Sequence, residues 1–183
     1  MKVGNDIQHD SGKWSFADEE TVKRFDEHIK QSIPLYDMAH ELVVSLVNHF
    51  IQEDGQILEI GTSTGALAYK IAKKYESNNV KVKGIDIAEN MITYAQKYRC
   101  HPNVSYEMDD IRVSSDSKYD VVISMYTLQF VIPKYRQNVV NNIYNCLEWG
   151  GGFFFFEKVR GSDARFQDLL TTYYLNWKLE NGF

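Results

Sequence analysis

Two segments in the first third of the chain place apolar residues at spacings of three and four, as on one face of a helix. Pro34 separates them, because the residue before a proline avoids helical conformation. The pattern therefore predicts helices over 17–32 and 35–51. The expected apolar stripes are Val22, Phe25 and Ile29 in the first helix and Leu42, Val43, Leu46, Val47 and Phe50 in the second.

From residue 56 onward, short apolar runs alternate with amphipathic segments. Strands that alternate with helices predict right-handed βαβ units around a mostly parallel central sheet with helices on both faces. The predicted strands are 56–60, 80–85, 104–107, 119–125 and 153–157, and the predicted helices are 66–75, 89–98, 134–147 and 162–179. We interpret 150–152 as a glycine turn and the phenylalanine run 153–156 as a strand buried on both faces.

The length of 183 residues is typical of one domain. We expect a loosely held polar arm over 1–16 and a single Rossmann-like domain over 17–183. That domain comprises a helical extension over 17–51, a sheet core over 56–157 and a last helix over 162–179. Residues 1–10 are polar, unlike a signal peptide, and no apolar run approaches membrane-spanning length, so we expect a cytoplasmic protein.

The formal net charge is −5, and basic residues are interleaved with acidic ones, as in the segment 23–27. A protein that grips a phosphate backbone usually carries a basic stripe, so direct binding to nucleic acid is not favoured. The two cysteines, Cys100 and Cys146, are far apart and complete no ligand set. We therefore expect no bound metal.

The first predicted strand runs into a turn of small residues, Gly61-Thr62-Ser63-Thr64-Gly65, and then into a helix. Ligands of open α/β sheets lie at the carboxyl ends of the strands, and glycines let the backbone approach a ligand closely. A helix N-terminus also offers unpaired N–H groups to a carboxylate. We predict that Gly61, Thr62, Ser63 and Gly65 bind the carboxylate end of S-adenosylmethionine (SAM) or a close relative.

Acidic and apolar residues follow at the ends of the neighbouring strands. Asp86 ends the second strand, 21 residues after Gly65, where a carboxylate accepts hydrogen bonds from ribose hydroxyls. Asp110 follows the third strand and is predicted to bond the adenine amino group. Ile87 and Ile111 are expected to supply apolar faces for the ring, and Glu59 to meet the ammonium group. The alternative for Asp86 and Asp110 is a role as helix caps.

Two other readings of the turn agree less well with the chain. A dinucleotide site requires G-x-G-x-x-G, but the third position here is Ser63 and no third glycine is close. The turn also matches the G-x-S-x-G of hydrolases, in which an acid and then a histidine follow the serine. Only His101 follows Ser63, long before the last strand, so we interpret this match as accidental.

The whole pattern resembles the carboxy-SAM synthase family, which has the fold of class I SAM-dependent methyltransferases. The resemblance extends from residue 12 to residue 183. Its most specific segments are Trp14 and Phe16, the runs 31–36 and 110–112, and the runs 127–130 and 157–158. The resemblance implies conversion of SAM to carboxy-SAM with prephenate as carboxyl donor and release of phenylpyruvate. In that family the product serves modification of a tRNA wobble uridine by a separate enzyme.

The resemblance also implies site positions. Tyr36 matches the family's ligand-contacting tyrosine, and the turn and both strand-end pairs, Asp86-Ile87 and Asp110-Ile111, match its cofactor positions. Met125 stands where the family has an asparagine. The family's arginine for the added carboxylate follows the last helix, a segment that this chain is expected to lack. Without further strands, the fifth strand is expected at a sheet edge, where a second copy or a helix covers it; we favour a homodimer.

Three functions remain open from the sequence. The first is a carboxy-SAM synthase, in which Lys158, Arg160 or Arg165 holds a dicarboxylate such as prephenate, although each is more simply an exposed surface charge. The second is an ordinary SAM-dependent methyltransferase acting on a small molecule. The third is a non-catalytic SAM-binding subunit. No residue is singled out as a general acid or base.

Overall fold

The computed structural model describes residues 19–112 and 117–182, so the predicted arm over 1–16 lies outside the described residues. The strands are β1 (Gln56–Ile60), β2 (Lys81–Asp86), β3 (Val104–Met108), β4 (Tyr119–Met125) and β5 (Leu147–Phe156). The helices are α1 (Glu19–Ser32), α2 (Tyr36–Val47), α3 (Ala66–Lys74), α4 (Glu89–Tyr98), α5 (Pro133–Cys146) and α6 (Ala164–Glu180). All strand pairs are parallel, in the order β3-β2-β1-β4-β5.

Helices cover both faces of this sheet, which confirms the predicted Rossmann-like α/β architecture. On one face, α2 and α3 bury Val43 and Ile71 in a large apolar cluster against the central strands. On the other face, α5 buries Val139 and Ile143 in a second cluster. The sheet is therefore the middle layer of three, and its central strands are apolar on both sides.

The strand order reverses at β1. The chain winds outward from β1 through β2 to β3, then returns to place β4 on the other side of β1. Such a reversal opens a crevice at the carboxyl ends of the two central strands, here β1 and β4. The small-residue turn that the sequence predicts as a ligand site lies at this crevice, directly after β1.

The predicted apolar stripe of α2 is partly wrong. Leu42 and Phe50 are exposed, and the helix ends at Val47. Val43 and Val47 are buried as predicted, together with three residues outside the predicted stripe, Ala39, His40 and Val44. Apolar residues extend beyond one face of this segment, so periodicity alone did not orient the helix. Packing against α3 does, and the Tyr75 hydroxyl, just beyond α3, donates a hydrogen bond to the Val44 carbonyl at 2.6 Å.

The predicted glycine turn over 150–152 is wrong, because these glycines belong to β5. The strand begins at Leu147, directly after α5, and its register against β4 jumps from Tyr119↔Leu147 to Val121↔Gly152. Glycine accommodates this irregularity, since Gly150 has a φ of +82°. A run of three glycines thus marks a bulge within a strand rather than the connection before it.

The phenylalanine run is not buried on both faces as predicted. Within the described residues β5 pairs only with β4 and forms an edge of the sheet, as expected in the absence of further strands. Phe155 is 56% exposed there.

α6 buries none of its residues. None of the helices in the described part of the chain is long and apolar enough to span a bilayer.

Candidate functional site

The turn after β1 is wound tightly over the end of β2. The backbone N–H groups of Gly61 and Thr62 both donate to the Ile85 carbonyl, at 2.8 and 3.0 Å. Gly61, Ser63 and Gly65 adopt left-handed backbone conformations, with φ of +70°, +49° and +76°. Such φ values favour glycine, which explains two of the three positions. The turn leads directly into α3, and the small side chains of the turn lie at the crevice.

Packing also requires glycine at both ends of the turn. A Cβ on Gly61 would lie 2.2 Å from Oγ1 of Thr127, and a Cβ on Gly65 would lie 2.6 Å from Cε1 of Tyr106. The sequence predicts that these glycines let a ligand approach the turn closely. In the structure, protein side chains already occupy the space where their Cβ atoms would point. The close approach of a ligand to the turn backbone stays a prediction.

Glu59 lies beneath the turn and is almost completely buried. Its Oε2 atom accepts hydrogen bonds from the Thr62 hydroxyl at 2.6 Å and from the Ala68 N–H at 3.0 Å. Burial raises the pKa of Glu59 to about 7, because these two bonds only partly offset the loss of water. Glu59 therefore joins the turn to the first turn of α3, in addition to the ammonium contact that the sequence predicts.

Asp86 holds two backbone segments together at the end of β2. One carboxylate oxygen accepts from the Ser63 N–H and the other from the Ala88 N–H, both at 2.9 Å. Burial raises the pKa of Asp86, while these backbone bonds counteract the shift. Asp86 does not cap α4, whose N-cap is Ala88 and has no side-chain capping bond. The carboxylate thus borders both the turn and the strand end where the ribose is predicted.

Asp110 is paired with an arginine that the sequence analysis left out of the site. Its carboxylate forms hydrogen bonds with the Arg112 guanidinium and with the Arg112 N–H, and this pairing lowers the pKa of Asp110. Side-chain amides of α5 hold the same segment: Asn138 donates to the Arg112 carbonyl and Asn142 to the Ile111 carbonyl. An adenine amino group would share the Asp110 carboxylate with Arg112.

The two predicted ring contacts differ in exposure. Ile87 is 72% exposed directly after β2, an unusual place for a large apolar side chain. Ile111 is half-buried and packs against the apolar cluster beside α5. The register that pairs Asp86 with Met108 places the two strand-end segments side by side at this edge of the sheet. An exposed apolar face beside an acidic strand end suits a heterocyclic ring.

Tyr36 and Met125 lie on the other side of the turn, near the end of β4. Tyr36 is the first residue of α2 and is half-buried. Burial raises the pKa of its hydroxyl, and the carboxylates of Glu59 and Asp26 add to that shift. Met125 is buried in the apolar cluster that covers α2 and α3. Its thioether is at most a weak hydrogen-bond acceptor, unlike the asparagine amide that the resemblance implies.

A network that the sequence analysis missed ties α1 to the turn. Asp26 accepts from the Thr64 hydroxyl at 2.5 Å and from the Arg99 guanidinium at 2.6 Å. The Arg99 carbonyl in turn accepts from the Tyr106 hydroxyl, which is also 3.2 Å from the Gly65 carbonyl. No local motif signals these contacts, because the partners lie up to 73 positions apart in the chain.

The charge of the site suits a ligand with positive groups. Within residues 19–112 and 117–182, no lysine or arginine forms an ion pair with Glu59 or Asp86. SAM carries an ammonium and a sulfonium group together with ribose hydroxyls that donate hydrogen bonds. The two carboxylates and the exposed Ile87 therefore agree with the chemistry of SAM.

Fold comparison gives the class of protein. The family described as "Methyltransferase domain" matches residues 57–151. A SAM-dependent methyltransferase structure from Methanococcus maripaludis superposes with a TM-score of 0.65 at 19% identity, covering 93% of this chain and 75% of the other. Human N-acetylserotonin methyltransferase in complex with SAM also gives 0.65 at 19% identity, covering 89% of this chain and 45% of the other. The fold is that of the class I SAM-dependent methyltransferases.

Sequence comparison narrows the class to one family. The carboxy-S-adenosyl-L-methionine synthase of Staphylococcus epidermidis is 30% identical over 170 residues, which cover 93% of this chain and 74% of that protein. The chain therefore belongs to the carboxy-SAM synthase family of SAM-dependent transferases.

Proposed function

We propose that this protein synthesises carboxy-SAM from SAM and prephenate, with release of phenylpyruvate, and that the product serves wobble-uridine modification of tRNA. The observation that carries the proposal is the similarity to a carboxy-SAM synthase over nearly the whole chain. The solved methyltransferase structures named above share the fold with this chain at only 19% sequence identity. The acidic net charge of −5 is consistent with an enzyme that handles small molecules and leaves the tRNA to another protein.

Each part of SAM has a proposed partner at the carboxyl edge of the sheet. The carboxylate lies at the turn over 61–65 and competes with the Ile85 carbonyl and the Asp86 carboxylate for the N–H groups that these now accept. Glu59 accepts from the ammonium group. Asp86 accepts from the ribose hydroxyls in competition with the Ser63 N–H that it now binds. The adenine lies between Ile87 and the segment 110–111, while Tyr36 and Met125 border the methionine portion.

SAM supplies the sulfonium methyl group that becomes carboxylated. The net reaction moves the elements of CO₂ from prephenate to this methyl group, and the displaced methyl hydrogen and the hydroxyl of prephenate leave as water. The protein's contribution is to hold both molecules with the donated carboxyl group beside the methyl carbon and to exclude bulk water. Lys158, Arg160 and Arg165 are candidate partners for the carboxylates of prephenate. Lys158 lies over the Tyr174 ring, 5.2 Å from its centroid.

The experiment is incubation of the purified protein with SAM and prephenate, followed by mass spectrometry. We expect a product 44 mass units heavier than SAM, about the mass of CO₂, and phenylpyruvate in equal amount. Omitting prephenate and replacing Asp86 with alanine are the two controls. SAM consumption without phenylpyruvate would overturn the synthase assignment.

An ordinary methyltransferase acting on a small molecule is the second candidate, and Met125 favours it. A buried thioether stands where the family's amide would hydrogen-bond a polar ligand group. In that case the methyl group itself is transferred, again by positioning of the acceptor. Methyl-labelled SAM would then pass its label to a metabolite extract without added prephenate. Replacing Met125 with asparagine distinguishes the two candidates, since only a synthase is expected to gain turnover.

We also propose that a second copy covers the β5 edge. Unpaired strand edges with exposed apolar residues invite pairing, and Phe155 lies exposed on this edge strand. Light scattering coupled to size exclusion is expected to report a dimer that Phe155→Lys converts to a monomer. A monomeric wild-type protein would overturn this proposal and leave the catalytic one intact.

A further inference from the structure

The segment after β3 crosses the carboxyl edge of the sheet toward α5. The Asp109 N–H donates to the Asp86 carbonyl at the end of β2, at 3.1 Å. Two residues later, Ile111 packs against the apolar cluster that contains side chains of β1, β2, β4 and α5. The chain therefore passes from the edge strand β3 across the end of β2 to the helix on the other half of the sheet. We call residues 109–112 the crossing segment.

Side-chain amides of α5 anchor the far end of the crossing segment. Asn142 donates to the Ile111 carbonyl at 2.9 Å, and Asn138 donates to the Arg112 carbonyl at 3.1 Å. The two asparagines are four positions apart in the helix, so they lie on one face of it. Asn142 is half-buried, whereas Asn138 is exposed. The hydrogen bond of Asn142 is therefore the better shielded from water.

Arg112 fixes the acidic side chain within the crossing segment. Its Nε donates to Asp110 Oδ2 at 2.8 Å, and its backbone N–H donates to Asp110 Oδ1 at 2.9 Å. The guanidinium also lies over the ring of Tyr135, in the first turn of α5, 5.6 Å from the ring centroid. The direction in which the Asp110 carboxylate points thus depends on where α5 holds the backbone of residues 111 and 112.

The packing of α5 on the sheet depends on other residues than these asparagines. Val139 and Ile143 bury the helix in the apolar cluster on this face. The Asn142 side chain instead gives its amide hydrogen to the backbone of the crossing segment. Loss of that amide is therefore expected to release the crossing segment while the helix stays packed, which separates an effect on the site from an effect on the core.

We propose that Asn142 is a positioning residue for recognition of the adenine base, because it holds the crossing segment with Asp110 toward the amino group of the base. The proposal rests on the proposed binding of SAM, with adenine beside residues 110–111, and deepens it. An amino group donates to a carboxylate, whereas a carbonyl at the same place offers only another acceptor. Selectivity for adenine over hypoxanthine therefore requires a fixed Asp110, and Asn142 supports this selectivity without touching the ligand.

The test compares S-adenosylhomocysteine with S-inosylhomocysteine, whose base carries a carbonyl in place of the amino group, by calorimetry on the full chain. Asn142→Leu removes the amide and keeps a side chain of similar size. Asn141→Leu is the matched control, because Asn141 is exposed and its side chain accepts from Gln137 of the same helix. We expect Asn142→Leu to weaken binding of the adenosyl ligand about three- to thirtyfold and of the inosyl ligand less than about twofold, with the control close to wild type.

The outcomes separate this proposal from the proposed function. Equal losses for both ligands in Asn142→Leu, or no loss for either, would overturn the positioning role while SAM binding would stand. Wild-type protein that binds neither ligand would overturn both proposals. If thermal denaturation shows that Asn142→Leu does not fold, the exposed Asn138→Leu takes its place, and the same selective loss for the adenosyl ligand is expected to a smaller degree.

Discussion

The hydroxyl of Tyr106 donates to the backbone carbonyl of Gly65 at 3.2 Å, and the ring lies where a side chain on Gly65 would point. Gly65, which ends the turn over 61–65, is therefore packed directly against the middle of β3. This contact couples the shape of the turn to the sheet two strands away.

We expect Gly65→Ala to destabilise the protein more than Gly150→Ala. Both glycines have φ near +80°, which costs alanine about 1–2 kcal/mol. Only Gly65 adds a clash, since nothing lies within 4 Å of a Cβ at Gly150. Overpacking adds about 1–3 kcal/mol. Urea denaturation of both variants measures the difference, and equal losses would contradict the role of the Tyr106 contact.

Replacing Asp26 with alanine is expected to lower the free energy of unfolding by about 1–3 kcal/mol, because it removes the acceptor of Thr64 and Arg99. Glu20→Ala on the same helix is the control. Its ion pair with Arg24 is exposed, and such pairs contribute at most about 1 kcal/mol. Thermal denaturation that shifts equally in both variants would show that the network does not hold α1 to the turn.

Asp86→Ala is expected to weaken SAM binding about ten- to hundredfold, about 1–3 kcal/mol, because ribose hydroxyls lose their acceptor. The variant also frees the Ser63 and Ala88 N–H groups, so its stability must be measured alongside. Asp86→Asn keeps one acceptor oxygen and is expected to fall between wild type and alanine. Unchanged affinity in Asp86→Ala, measured by calorimetry, would place the ribose elsewhere.

The buried carboxyl of Glu59 is expected to make stability depend on pH. Its pKa is about 7 in the folded protein and 4.5 as the reference value, so the folded state binds the proton more tightly. Stability is therefore lost as pH rises from about 4.5 to 7 and is constant above that range. The total is up to about 3 kcal/mol, from 1.36 kcal/mol for each unit of pKa.

Glu59→Gln removes this titration and keeps an acceptor for the Ala68 N–H. Denaturation of wild type and variant at pH 5 and pH 8 measures the effect, and we expect the variant to gain relative stability at the higher pH. Parallel pH profiles would show that Glu59 ionises without cost. At pH 8 the variant is expected to bind SAM more weakly, since it lacks the charge opposite the ammonium group. At pH 5 the two proteins are expected to bind SAM alike, because the wild-type Glu59 is then protonated as well.

The pattern of apolar and polar residues predicted those elements in which apolar residues recur with one clear period. β4 has the predicted bounds, and the turn over 61–65 begins and ends where its glycines stand. The strand-end positions of Asp86 and Asp110 also follow from the alternation of strands and helices, because parallel strands bring their carboxyl ends to one edge. Where apolar residues extend beyond one face, as in α2, periodicity did not identify the buried face.

Contacts between distant parts of the chain were decided only by the tertiary structure. The sequence by itself determined the α/β class, the glycine-bounded turn over 61–65 and the acidic strand ends, since these depend on local backbone preferences and on strand direction. The fold decided that Tyr106 and Thr127 fill the space beside the glycines, that Arg112 pairs with Asp110, and that Tyr126 meets Tyr36. Such pairings depend on how strands and helices pack in space, which no spacing along the chain encodes.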